Sequence, residues 1–183
     1  MESTARRSGT ASRKAILSRA LALSAERGPG GVSIGVLAHA LGMSKSGVFA
    51  HFGSKDALDL AVVDAAADAF TRAVMTPAQT APPGVARLAA LVEGWLGEVR
   101  TGSDSLTVLG HPHRGAAEAV RSGLDAWRAR WRKALAAEVA AARQSGELGP
   151  AADPAHTAFE IHALLSAAAS DAEAGARGAD AAA

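Results

Sequence analysis

The sequence predicts an all-α protein in two parts: a small three-helix head at the N-terminus, and a larger helical bundle behind it. Three observations lead there. Apolar residues recur at spacings of three and four through most of the chain, strict alternation is hard to find, and N-capping serines and glycines cut the early sequence into short helices. A chain of 183 residues has room for such a head and body, since domains run to about 100–200 residues.

The first helix is expected from Arg13 to Arg27, with Ile16, Ala20 and Leu23 on one line and Leu17 and Leu21 beside it. The run Gly28-Pro29-Gly30-Gly31 ends it, because glycine suits a helix C-terminus and proline cannot extend one. Residues 1–12 read as a disordered basic arm. Ser33 is a good N-cap for a second helix over Ile34 to Ala40, which Gly42 breaks, and Ser44 caps a third from Lys45 to His51. Gly53-Ser54 closes that one and opens a fourth, Lys55 to Val74, with Leu58, Val62, Ala66 and Phe70 on one face.

Thr76-Pro77 to Pro82-Pro83-Gly84 has the composition of a loop. Beyond it lie helices over Val85 to Val99, Leu106 to Leu109 and Ala116 to Gln144. The last of these carries a stripe of Val120, Leu124, Trp127, Trp131, Leu135 and Val139 and stops at Gly146. Asp153-Pro154, an N-cap with proline at the first helical position, starts a final helix that runs to about Ala169, ahead of a weakly specified tail. The division is therefore an arm over 1–12, a head over 13–54 and a body over 55–183.

Composition narrows the function. Cysteine is absent, which excludes disulfides, thiolate metal sites and a cysteine nucleophile, and suits a reducing cytoplasm, the expected location. No apolar run approaches the roughly 18 residues of a membrane span, and the polar start Met1 to Arg7 lacks the apolar segment of a signal peptide. Residues 1–55 carry eight Lys/Arg against two Glu, a net +6, which leaves −5 for the rest of a chain whose net charge is +1. That asymmetry suits a polyanion-binding module on an acidic body; a solvated charged face is the competing explanation.

The segment Ser33 to Lys55, SIGVLAHALGMSKSGVFAHFGSK, has the spacing of a helix-turn-helix: two short helices joined by a turn of three or four residues containing a glycine. Ile34, Leu37, Ala38 and Leu41 form the inner face of its first helix, Met43 plugs the turn, and Val48 and Phe52 face back from the second. This leaves Lys45, Ser46, Gly47 and His51 on the outer side, toward the N-terminal end that reads the major groove in such motifs. Lysine donates to guanine acceptors, serine to several partners, and glycine lets the backbone come close. The capping residues Ser33 and Ser44 place helix N-termini where phosphate oxygens bind. An ordinary helical hairpin has similar spacing.

From Ala15 to Leu60 the chain resembles the TetR (tetracycline-repressor-like) family of bacterial regulators. The resemblance lies in Glu-Arg-Gly at the end of the first helix, Val-Ser-Ile, Leu-Gly-Met-Ser-Lys-Ser-Gly-Val-Phe, and the His-Phe-x-Ser-Lys-x-Ala-Leu junction. It implies a phosphate contact for Ser33, a base-reading edge of Lys45, Ser46 and Gly47, a backbone contact for His51 and a phosphate clamp for Lys55. Phe49 stands where the family typically has a tyrosine that bonds phosphate, so ring packing alone is expected there. Farther on, Gly146-Glu147-Leu148, Asp153-Pro154 and Phe159-Glu160-Ile161-His162-Ala163-Leu164 are similar to the regulatory domain of an actinobacterial-type branch. This implies a ligand pocket and late helices that pair with a second subunit.

Phe70, Trp95, Leu109 and Trp127 are the candidate pocket residues, bulky groups in an alanine-filled chain; Trp131 could line such a pocket with Trp95 and Trp127, although tryptophans at helical spacing also serve as plain core. The row Arg121, Arg128 and Arg132 reads as a solvated face. His111-Pro112-His113 with His156 or His162 fits no strong metal-ligand spacing, and neither a metal nor a cofactor is expected. No Ser/His/Asp cluster, phosphate loop or paired carboxylates point to an enzyme. The expected protein is thus a homodimer binding double-stranded DNA at a palindromic operator, most simply a repressor released by a small-molecule effector. Alternatives are an activator or ligand-requiring regulator, a helical ligand-binding or scaffolding protein that has lost DNA binding, and a His-based metalloenzyme.

Overall fold

The computed structural model describes residues 2–27, 32–110 and 116–180, and among these there is helix and no strand. The helices are α1 (Glu2–Arg27), α2 (Ile34–Leu41), α3 (Lys45–Phe52), α4 (Lys55–Phe70), α5 (Thr76–Ala78), α6 (Val85–Thr101), α7 (Asp104–Gly110), α8 (Glu118–Gln144) and α9 (Pro154–Asp180). None is long and apolar enough to cross a membrane.

Local chemistry places most of these boundaries. The Ser33, Ser44 and Ser54 hydroxyls accept the backbone N–H groups of Val36, Gly47 and Ala57 at 3.1, 3.0 and 3.0 Å, so α2, α3 and α4 each open on a serine. Gly42 ends α2 in the left-handed region at φ 63°, and the N–H groups of Gly42 and Met43 donate to the carbonyls of His39 and Ala38. This is the Schellman arrangement, which satisfies the last free carbonyls of a helix. Asp153 caps α9 through the His156 N–H at 2.8 Å.

The structure departs from expectation at three places. Helix α1 begins at Glu2 rather than Arg13, so residues 2–12 prolong a helix instead of forming a disordered arm; no proline interrupts them, and Gly9 alone does not stop a helix. Helix α9 runs to Asp180 rather than Ala169, because alanine recurs there without proline, and single glycines at 175 and 178 cost only about 1 kcal/mol each against alanine. At Thr76-Pro77 the chain stays helical by way of a π turn over Thr71–Met75, in which Thr76 N–H reaches back to Thr71 O. A proline ring presses on the carbonyl four residues earlier, here Ala73 inside that wider turn, so the π turn carries the chain past Pro77.

One apolar core runs from head to body. Ile16, Leu23, Leu37 and Val48 of the head join Leu58, Val62 and Phe70 of α4, and these join Trp95, Leu109, Trp127 and Trp131. Helix α7 packs on both α1 and α4, while α8 packs on α4, α6 and α9. The start of α6 is tied to α8 by Glu138, which accepts the Gly84 N–H at 3.1 Å and pairs with Arg87 at 3.6 Å. At the α6–α7 junction the Ser103 and Ser105 hydroxyls both donate to Glu98, at 2.5 and 3.3 Å.

Candidate nucleic-acid interface

The two short helices α2 and α3 meet through the residues expected to face inward. Leu37, Ala38 and Val48 are at most 2% exposed, and Ile34, Leu41, Met43 and Phe52 pack against them. With those side chains turned in, the opposite side of α3 is open. Ser44, Lys45 and Ser46 are exposed at its N-terminus, Gly47 and His51 are half-buried, and the Phe49 ring is 50% exposed. The arrangement offers a cation, two hydroxyls and the free N–H groups of a helix start on one surface, a donor-rich edge suited to base acceptors and phosphate oxygens.

Contacts within the head hold that edge in place. The Lys45 stem lies over Gly35 of α2, where a Cβ would come within 3.1 Å of Lys45 Cε. Ser46 shares a hydrogen bond with Ser44 at 3.1 Å. Lys55, at the start of α4, is half-buried and bonded to Asp59 one turn on.

Sequence reasoning missed Arg13. Its guanidinium donates to the His51 carbonyl at 2.8 Å and lies 4.4 Å from the centre of the Phe52 ring, so a cation from α1 holds the C-terminal end of α3. Both the helix dipole and the ring face favour a positive charge there. The only trace in the sequence is one more arginine in a basic run.

In the body, Phe70, Trp95 and Trp127 come together and Leu109 is buried in the same core, on α7. Phe70 meets Trp95, Trp127 and Trp131 edge-on at 5.3–5.6 Å, while Trp95 stacks on Trp127 at 6.0 Å and on Trp131 at 5.2 Å. His162 of α9 closes the group against Trp95 at 5.9 Å. Trp131, one of the three tryptophans weighed as pocket lining, lies in the same cluster, whereas His162 was not among the expected pocket residues. The stripe of α8 turns two indoles, Trp127 and Trp131, one helical turn apart, toward Trp95 of α6, and α9 brings His162 to the same indole.

These rings are in contact face to face and edge to face, but their polar atoms are not served. The Nε1 atoms of Trp95, Trp127 and Trp131 and the Nδ1 of His162 are buried with no hydrogen-bond partner among the described residues. An unmet buried donor costs about 1–3 kcal/mol, and such groups are few in native proteins, so four in one cluster are exceptional. Burial, with the charges of Arg132 and Arg128, pushes the His162 imidazole below its ordinary value of 6.5.

The remaining candidates divide. His156 pairs with Glu160 at 3.3 Å, while His111 and His113 lie outside the described residues. Arg121 bonds Glu118 and is exposed, as a solvated face requires, whereas Arg128 is half-buried and pairs with Asp125 at 3.0 Å.

Residues 16–62 match the bacterial regulatory proteins of the tetR family, and residues 84–182 match the tetracyclin repressor-like C-terminal domain. No curated protein matches the sequence. Among solved structures, AibR in complex with isovaleryl coenzyme A and operator DNA is 28% identical, with a TM-score of 0.73 over 84% of this chain and 83% of that one. A TetR-family transcriptional regulator from Agrobacterium tumefaciens is 18% identical, with a TM-score of 0.81 over 91% and 89%. A transcriptional regulator from Saccharomonospora viridis in complex with choline is 23% identical, with a TM-score of 0.76 over 86% and 83%.

Proposed function

The chain belongs to the TetR family of bacterial regulators, and from that premise we propose that it is a transcriptional repressor, binding a palindromic operator as a homodimer and released by a small-molecule effector. The observation that carries this reading is the open, donor-rich face of α3 opposite a fully packed inner face. Lys45, Ser46 and Gly47 read base edges, Ser33 and Ser44 bring helix N-termini to phosphates, and His51 and Lys55 hold the backbone. Phe49 adds ring contact alone. AibR, crystallised with both an acyl coenzyme A and operator DNA, gives the combination of activities a precedent in a relative of similar size.

The dimer rests on α9, where Phe159 is 54% and Leu164 72% exposed in a helix otherwise packed on α8 and α6. Apolar groups left open on a late helix suit pairing with a second subunit. Effector binding is assigned to the body core around Phe70, Trp95, Leu109 and Trp127. That core connects through α4 to Lys55 and through α7 to α1, so a ligand preferring one arrangement of these helices shifts the spacing of the two heads. The reading places the protein in the cytoplasm and gives it no catalytic role.

Selection of bound DNA from a random pool, followed by gel shift of the winning site, tests the proposal. A palindromic winner is expected, with affinity falling steeply with salt as lysine contacts release counterions. Failure to enrich any sequence would favour a helical ligand-binding or scaffolding protein instead.

A further inference from the structure

The aromatic cluster of the body uses its ring faces and leaves its polar edges unserved. Trp95 stacks on both Trp127 and Trp131, and Phe70 meets all three edge-on, so the rings already spend contacts on one another. What remains unspent is three indole N–H groups, each on a residue at least 97% buried, together with His162 Nδ1. An indole nitrogen only donates. The cluster therefore asks for an acceptor, and the charges of Arg128 and Arg132, close enough to act on His162, add a positive potential to the same region. Asp125 offsets part of this by pairing with Arg128 at 3.0 Å.

We propose that this cluster takes an apolar organic acid, whose carboxylate accepts the indole N–H groups of Trp95, Trp127 and Trp131 while its hydrocarbon body lies against Phe70. The inference rests on the reading that the body holds the effector site, and it specifies the effector's chemistry. A quaternary ammonium of the same size would leave every indole donor unmet and would face the two arginines. His162, neutral at neutral pH, presents one nitrogen as a donor and the other as an acceptor, so it serves a carboxylate without adding a full charge. His162 thereby joins the tryptophans in the site.

Matched amphiphiles on the purified full-length protein test this without DNA. Octanoate is expected to shift the indole N–H proton resonances of the tryptophans and to quench their fluorescence saturably, with octyltrimethylammonium at least tenfold weaker. Trp127→Phe and Trp131→Phe keep a ring and delete one donor, and each is expected to weaken octanoate tenfold or more. Two variants are used so that one failing to fold, as judged by circular dichroism, leaves the other to decide. Equal or tighter binding of the ammonium, no octanoate response, or unchanged octanoate affinity in a folded Phe variant each overturns the inference. A gel shift on the selected operator separates the two readings. Intact operator binding without an octanoate response refutes the acid specificity alone, whereas octanoate binding by a protein that enriches no DNA refutes the repressor reading alone.

Discussion

The cations of α3 and of the start of α4 are of two kinds. Lys45 is exposed with its stem resting on Gly35, whereas Lys55 is half-buried and already bonded to Asp59. If Lys45 reads bases, Lys45→Ala costs about 1–3 kcal/mol on the selected site and relaxes its sequence preference, while Lys55→Ala weakens all sequences alike and lowers the salt slope by about 1. If Lys55 clamps phosphate, Asp59 competes with that phosphate for it, and Asp59→Asn is expected to tighten every DNA by up to about fivefold, the worth of a partly exposed ion pair. Binding titrations on the operator and a scrambled duplex check all three. His162 carries a different prediction. With its pKa depressed in the folded state, chiefly by burial and then by Arg132 and Arg128, the unfolded chain binds more protons below the ordinary value of 6.5. Stability is then held in full above about pH 6.5 and declines as pH falls toward the lowered native value. Urea midpoints between pH 5 and 8 should show that decline, and His162→Gln should flatten it.

At the scale of elements, the head depends on turns that strip backbone groups of ordinary partners and serve them otherwise. Gly42 has φ 63° with nothing within 4 Å of where a Cβ would sit, so replacing it tests backbone strain free of any clash. Gly42→Ala is expected to cost about 1–2 kcal/mol, the penalty of the left-handed conformation for a residue with a Cβ. Gly42→Asn should cost less, because asparagine tolerates that region. Urea denaturation of the two variants beside the parent protein checks the order. The π turn at Thr71–Met75 shows the same economy on a longer helix: widening one turn keeps Pro77 helical and keeps Val74 and Ala78 in the core.

For the whole molecule, the same core that gives stability ties the head to the body. Helix α4 begins with Lys55 beside α3 and finishes with Phe70 among the tryptophans, a continuous helix of 16 residues between the two proposed sites. In the proposed dimer, pairing of two copies through α9 sets the distance between their α3 helices, expected at about 34–36 Å or a multiple of it. Leu164→Asp puts a charge on the most exposed large apolar side chain among the described residues and is expected to yield monomers that lose operator binding while keeping helical content. Sedimentation and gel shift on the same sample provide the check. A Leu164→Asp variant that remained dimeric would move the interface away from this face.

Much of the molecule was legible in the sequence because it is local. A serine caps the helix that follows it, a glycine ends the one before it, and a stripe of Val120, Leu124, Trp127, Trp131, Leu135 and Val139 is buried because three- and four-residue steps return to one face of a helix. The starts of α2 and α3 and the inner face of these two short helices follow from such rules, as does the exposure of Lys45 and Ser46. The Lys55–Asp59 bond, four residues apart, obeys the same kind of rule but went unread. Other features depend on elements far apart in the chain. Arg13 reaches His51 across 38 residues, and His162 meets Trp95 only because α9 folds back beside α6. No local pattern encodes such pairings, since they follow from helix crossing angles and from how side chains interlock once the core closes. The sequence alone determined which faces are apolar and where the helices capped by Ser33, Ser44, Ser54 and Asp153 start; only the tertiary structure decided which rings meet and which of their polar atoms are left without partners.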